Sequence, residues 1–361
     1  MSRTTAAMSP ENSRLILGGS LLSTGSSASR AAIAQINIDT DRVEFAREFD
    51  FATSIVAIAP LQDKTVVLAQ SQASSKTDAE AFVFVLDSHG DKVVGPVTVD
   101  VSDSGAELNG ASLLFDKGGE HLIVSFAGTK NGLTQVSSYH LATLKQVSVI
   151  HVEDFNLASG EQTGVTMPLE ETDIDRVYLA GQSGREATLA VASMIDGHLV
   201  SSATKLVTFD SQKISDVATV THIFRQNYQM FGLTSVDATP GKVSQIGVWR
   251  MKLTQDGRPR KGAVIQLANT ASGSVTGVLP SFENDLMHLM IQDISGDLTY
   301  LVIDIAYGQI ARATPISQSS TAPVMSLLLT HSTMDHQLST ADISTTIITT
   351  KRHQTHSSST T

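Results

Sequence analysis

Carboxylates recur at regular places along this chain. Asp50, Asp100, Asp103, Asp154 and Asp210 each lie just after an alternating apolar segment, and Glu107 and Asp216 lie just before the next one. Gathered around one opening, such groups could bind Ca²⁺ or a cationic partner. Two of them at a suitable separation could instead cleave a glycosidic bond by acid–base work. The plainer chemistry is that of turns, in which Asp starts the reversal and accepts from nearby backbone N–H groups. The sequence favours that reading, because no D-x-D-x-D-G loop is present.

The other reactive residues form no established constellation. His331, Asp335 and His336 offer N and O ligands, but their spacing matches no metal motif, and His353 and His356 follow in a Ser/Thr-rich end. There is no G-x-S-x-G elbow, Walker A loop, G-x-G-x-x-G or H-E-x-x-H. The absence of cysteine excludes disulfides, thiolate metal sites and a Cys nucleophile. Ser-rich stretches such as 23–29 and 71–77 carry hydroxyls with no base in view and read as connectors.

Composition narrows the partners. The net charge is −11 with no basic run or stripe, so a nucleic acid is not expected. Anionic membrane surfaces are disfavoured for the same reason. No stretch approaches a membrane span in length, and residues 1–11 lack the apolar core of a signal peptide. None of the eight Asn opens an N-x-Ser/Thr sequon. These features favour a soluble chain and lean toward the cytoplasm.

The elements that must position the carboxylates repeat. Each unit reads as a short apolar strand, a polar turn, a second apolar strand ending in Gly or Ala, a Ser/Gly-rich loop, an alternating third strand, a tight turn and a fourth strand. Second strands aligned on Leu15, Val66, Leu122, Val177, Gln229 and Met287 are 51, 56, 55, 52 and 58 residues apart. Turns between third and fourth strands centre on Thr40, Gly90, Thr143, Gly197, Gly257 and Gly308, at steps of 50, 53, 54, 60 and 51. A period near fifty suits four strands of five or six residues with their connections. First strands are expected at 54–59, 111–115, 164–167, 220–224, 277–279 and 324–329, the last opening a seventh unit. At the start, Ala7–Pro10 lines up with Ile58–Pro60.

A four-stranded sheet cannot bury both faces alone, whereas sheets packed face to face around an axis can. The run from Val177 to Val200 resembles propeller repeats of the "Y-x-x-G … A-x-[VL]-x-x-[LM]-D-x-x-G" kind, and Ala81–Val94 is similar. The chain thus resembles the β-propeller repeat superfamily in general. It lacks the combined Gly-His…Trp-Asp signature of WD40 repeats, and the spaced Tyr and Trp of kelch repeats. The expectation is an all-β, seven-bladed β-propeller over residues 1–350 and a disordered Ser/Thr-rich tail at 351–361. In the six-bladed alternative, 324–329 completes the first blade. Small residues Gly18, Ala69, Ala180 and Gly232 are expected nearest the axis, for packing rather than ligand contact.

Function is less legible than architecture. The leading expectation is a non-catalytic binding or scaffold module, recognising a protein, peptide or glycan through loops on one face and using no cofactor. The carboxylates Asp50, Asp100, Asp103, Asp154 and Asp210 are its candidate ligand-binding residues. The rival is a propeller hydrolase using carboxylates at the channel mouth, with Ca²⁺ or another divalent metal.

Overall fold

The computed structural model describes residues 5–9, 13–22, 29–71, 80–100, 108–128, 134–158, 163–169, 172–208, 217–237, 245–260, 265–272, 274–281, 285–292, 297–316, 328–329 and 345–346. The described residues are strands and turns without a helix, so no helix is long and apolar enough to cross a membrane.

Six antiparallel sheets follow one another, and each has a four-stranded framework of strands taken in chain order. The first holds β1 (Thr5–Met8), β2 (Arg14–Leu22), β3 (Ser29–Asn37) and β4 (Arg42–Phe49). The second holds β5 (Ser54–Leu61), β6 (Lys64–Gln70), β7 (Ala81–Asp87) and β8 (Lys92–Val99). The third holds β9 (Leu108–Phe115), β10 (His121–Gly128), β11 (Thr134–His140) and β12 (Lys145–Val152). In the fourth, β14 (Gly164–Pro168), β15 (Ile174–Ser183), β16 (Glu186–Ile195) and β17 (His198–Thr208) are joined by short β13 (Asn156–Leu157), which pairs with β15. The fifth holds β18 (Val217–Gln226), β19 (Gln229–Asp237), β20 (Gln245–Lys252) and β21 (Ile265–Ser272). The sixth holds β22 (Ser274–Ser281), β23 (Leu286–Gln292), β24 (Leu298–Asp304) and β25 (Gln309–Ile316).

Local chemistry sets these hairpins. Asp196 and Gly197 both have positive φ, 49° and 76°, which a two-residue turn between twisted strands requires. Where third strands end, a side-chain oxygen takes the turn's orphan N–H groups. Asn37 accepts from Thr40 N at 3.0 Å, and Asp87 accepts from His89 N and Asp91 N at 2.9 Å each. Asp304 does the same for Ala306 and Tyr307. The Asp91 and His89 N–H groups hold the Asp87 carboxyl below its usual range.

Side-chain alternation then decides what each sheet buries. Ile16, Ala31 and Ile33 of the first sheet pack with Val67, Ala69, Phe84 and Leu86 of the second. The second sheet's opposite face, with Val66, Leu68, Val83 and Val85, meets Leu122, Val124 and Phe126 of the third. The scheme continues from third to fourth, fourth to fifth and fifth to sixth. Each large apolar side chain moved from water into these joints is worth about 1.5–3 kcal/mol. Outer strands are mostly exposed; in β4 only Phe45 and Phe49 are buried.

First strands lie side by side, β1 beside β5, β5 beside β9, β9 beside β14 and β14 beside β18, and so form the inner layer. This is a β-propeller. All six expected third-to-fourth turns fall where the sequence places them, and His121–Gly128 is a strand over that whole range. The small residues are placed differently from expectation. Gly18, Ala69, Ala180 and Gly232 lie on second strands, one step out from the axis. Their size answers neighbouring side chains: a Cβ at Gly18 would come within 2.8 Å of both Ile55 and Ile58 in the next sheet.

The C-terminal strand pair also differs from one expectation. β26 (Leu328–Leu329) pairs with β27 (Thr345–Thr346), not with the first sheet, which already has β1 as its own first strand. Residues 324–327 and the expected tail at 351–361 lie outside the described residues.

Candidate functional site

The topology sorts the connections into two groups. First-to-second and third-to-fourth connections leave one end of the sheets, where most are tight turns such as Gln62–Asp63, Ser88–Asp91 and Asp196–Gly197. Second-to-third and fourth-to-first connections leave the opposite end, and several are long, including 71–80, 100–107 and 209–216. Asp50, Asp100 and Asp154 lie on this second end.

Asp50, Asp100 and Asp154 are exposed. Asp50 opens the turn after β4, where Ala52 O accepts from Ala31 N and Thr53 N donates to Gln70 O, both at 2.8 Å. Phe49, Phe51, Phe82 and Phe84 cluster beside that turn, with centroids 4.8–5.6 Å apart. Asp100 is held through its main chain, since its carbonyl accepts from Gln135 Nε2 of the third sheet at 2.9 Å. Asp154 has φ of 51° and reverses the chain into β13. Thr134 clamps that reversal, donating to Phe155 O at 2.7 Å and accepting from Leu157 N at 3.0 Å. Asp103, Glu107, Asp210 and Asp216 lie outside the described residues, as do His331, Asp335 and His336. Among the described residues, no three His, Asp or Glu side chains come together as a metal-holding group.

The inner strands matter for any channel chemistry. The first strands β1, β5, β9, β14, β18 and β22 contain no Asp or Glu. Their one imidazole is His222, whose Nδ1 lies 3.0 Å from Thr221 Oγ1 beside a bulge in β18. The residue as a whole is half-buried, yet desolvation of the ring lowers its pKa to about 4, so it is neutral near pH 7.

The tight-turn end holds polar groups that sequence reading missed. His121 Nδ1 lies 2.7 Å from Asp116 Oδ2, and Gly197 of the next sheet packs directly on the imidazole. Asp175 accepts from Lys117 N at 3.1 Å, and burial, with Asp116 nearby, pushes its carboxyl above the usual range. Ser138 Oγ donates to Gly197 O at 2.6 Å, while Ser148 Oγ accepts from Leu199 N at 2.8 Å. Tyr178 donates from its hydroxyl to Gly257 O of the fifth sheet. Each links one sheet to the next, so these groups hold the ring rather than face a ligand. The turn glycines Gly90, Gly197 and Gly257 were the available signal, because each lies against an aromatic ring of a neighbouring sheet.

No protein-family model and no curated protein matches the chain. Solved structures do. A hydrazine synthase from Kuenenia stuttgartiensis is similar with TM-score 0.52 and 12% identity, over 90% of this chain and 88% of that one. A prolyl endopeptidase is similar with TM-score 0.51 and 11% identity, over 88% of this chain. The likeness covers 42% of the endopeptidase, so the chain spans less than half of that protein's length. The β-propeller domain of the Trilobed protease from Pyrococcus furiosus gives TM-score 0.48 and 10% identity, over 91% and 90% of the two chains. At such identities the likeness concerns the fold alone, and the chain has the fold of the β-propeller repeat proteins.

Proposed function

We propose that the chain is a non-catalytic binding or scaffold propeller that meets a protein, peptide or glycan ligand at the end carrying the long connections. The observation behind this reading is the inner layer. A hydrolase working from the channel wall needs an acid and a base there, and the six first strands supply no carboxylate. The long connections leave rigid sheets at one end, which is how variable recognition surfaces are displayed. Asp50, Asp100 and Asp154 are exposed there, whereas Asp103 and Asp210 lie outside the described residues.

The test is a peptide and glycan array probed with the protein and with an Asp50→Asn/Asp100→Asn/Asp154→Asn variant, each with Ca²⁺ and with chelator. The expected result is a selective ligand whose affinity falls about tenfold in the variant at unchanged stability, since exposed substitutions seldom move folding by more than about 0.5 kcal/mol. Binding that vanishes with chelator would assign Ca²⁺ to these connections. Turnover of a peptide or glycoside by the wild type, or equal binding by the variant, would overturn the reading.

A further inference from the structure

The net charge of −11 hides one corner of opposite sign. It lies at the tight-turn end of the fifth sheet, away from the long connections. Arg225 lies near the end of β18, Arg250 and Lys252 end β20, and Arg258 and Arg260 belong to the turn that follows. Residues 225–228 and 250–260 thus hold five of the chain's 25 Lys and Arg against a single carboxylate, Asp256. The same two connections in each other sheet carry at least as many Asp and Glu as Lys and Arg.

Backbone pairing gathers the five cations. Arg225 is opposite Met230, and Met230 is opposite Met251, so the cations of β18 and β20 are two strands, or about 10 Å, apart. Arg260 N donates to Lys252 O at 3.1 Å and folds the turn back onto the strand end. A separation of about one Debye length lets their fields add.

The protein itself does little to neutralise them. Arg258 pairs with Asp256 at 3.1 Å, whereas Arg225, Arg250, Lys252 and Arg260 form no ion pair among the described residues. The Arg225 guanidinium donates to Asn227 O at 3.1 Å, and Nε of Arg250 is buried without a hydrogen-bond partner. Lys252, Arg258 and Arg260 are exposed. In the first sheet, by contrast, Arg14 and Arg47 each reach a carboxylate at 3.3 Å. Guanidinium groups left uncompensated on a rigid sheet suit carboxylates, which they can bind through two parallel hydrogen bonds.

The flanking corners limit the size of the partner. Asp173 and Asp196 of the fourth sheet and Asp285 of the sixth are exposed at the same end. A nucleic acid or an anionic bilayer would meet these carboxylates as well and be repelled. A span of about 10 Å instead matches three or four extended residues.

We propose that this corner docks a short acidic segment of a protein partner, whose Asp or Glu carboxylates meet Arg225, Arg250, Lys252, Arg258 and Arg260. It is at the opposite end of the sheets from the long connections and stands independently of any ligand bound there.

The probe is a fluorescein-labelled hexaglutamate peptide, titrated with the full chain at about 50 mM salt, where screening is modest, and followed by fluorescence anisotropy. Wild type should bind it, and Lys252→Gln/Arg258→Gln/Arg260→Gln should bind about tenfold more weakly, since each exposed ion pair lost is worth about twofold or more in affinity. Exposed substitutions of this kind leave folding nearly unchanged. Lys64→Gln/Lys117→Gln/Lys145→Gln removes the same charge from other sheets at the same end and should bind like wild type. No binding by the wild type, or equal weakening in both variants, would overturn the proposal. So would tighter binding of decathymidylate or of phosphatidylserine vesicles than of the peptide through the same cations, which would assign the corner to a larger polyanion.

Discussion

Gly232→Ala tests the packing of the fifth blade with a built-in reporter. Gly232 lies on β19 directly opposite Trp249 of β20. The indole is 2% exposed and lies across the glycine, so an added Cβ would overlap the ring and come within 2.8 Å of His222 O. Neither obstacle is the free end of a flexible side chain. Overpacking of this kind costs about 1–3 kcal/mol. Alanine returns about 0.5–1 kcal/mol by restricting the unfolded chain. The balance is a loss of roughly 1–2 kcal/mol, or about 2 °C in Tm for a cooperative unit of this size. Trp249 is the one Trp in the chain, so its emission during urea unfolding reads this site alone. The midpoint should fall and the native emission should shift as the indole moves. Gly118→Ala is the control, since its nearest contact would be Glu120 Cγ at 3.6 Å. An unchanged or higher midpoint for Gly232→Ala, with wild-type emission, would refute the claim that this glycine exists to seat the indole.

Two further predictions concern polar groups inside the ring. His222 has a folded pKa lowered to about 4 against an unfolded value near 6.5, so the unfolded state binds the proton first. Its contribution is therefore intact above about pH 6.5 and is lost as pH falls toward 4, by up to about 3 kcal/mol. Urea midpoints measured from pH 7 to 4 should drop more steeply in wild type than in His222→Gln, and parallel curves would contradict the assignment. Tyr178→Phe removes the hydroxyl that donates to Gly257 O and leaves that carbonyl without this donor. Stability by urea unfolding should fall by about 1–2 kcal/mol, and a neutral or stabilising result would mean that this link does not tie the fourth blade to the fifth.

The division between sequence and tertiary structure can be followed residue by residue. The turns at Gly90, Gly197, Gly257 and Gly308 were legible because a tight reversal needs positive φ, and all four have it. Apolar alternation marked the strands for the same local reason. Asp50, Asp100 and Asp154 were legible as turn residues at one end of the sheets, because the repeat order alone fixes the end from which a connection leaves. What each glycine touches was not legible. Gly197 bears on His121, and Gly257 receives the Tyr178 hydroxyl from 79 residues away. A period near fifty states that successive blades exist, but it is blind to which side chain of one meets which turn of the next.

The sequence by itself therefore determined the repeat, its strands and its turns, since these follow from φ preferences and side-chain alternation over a few residues. Only the tertiary structure decided that the first strands, which among the described residues carry no Asp or Glu, lie side by side as the inner layer. It also decided that the Gly18 position is small because Ile55 and Ile58 of the next sheet fill the space. Those facts depend on the packing of whole sheets against one another, and no local pattern encodes the distance between two residues on different sheets.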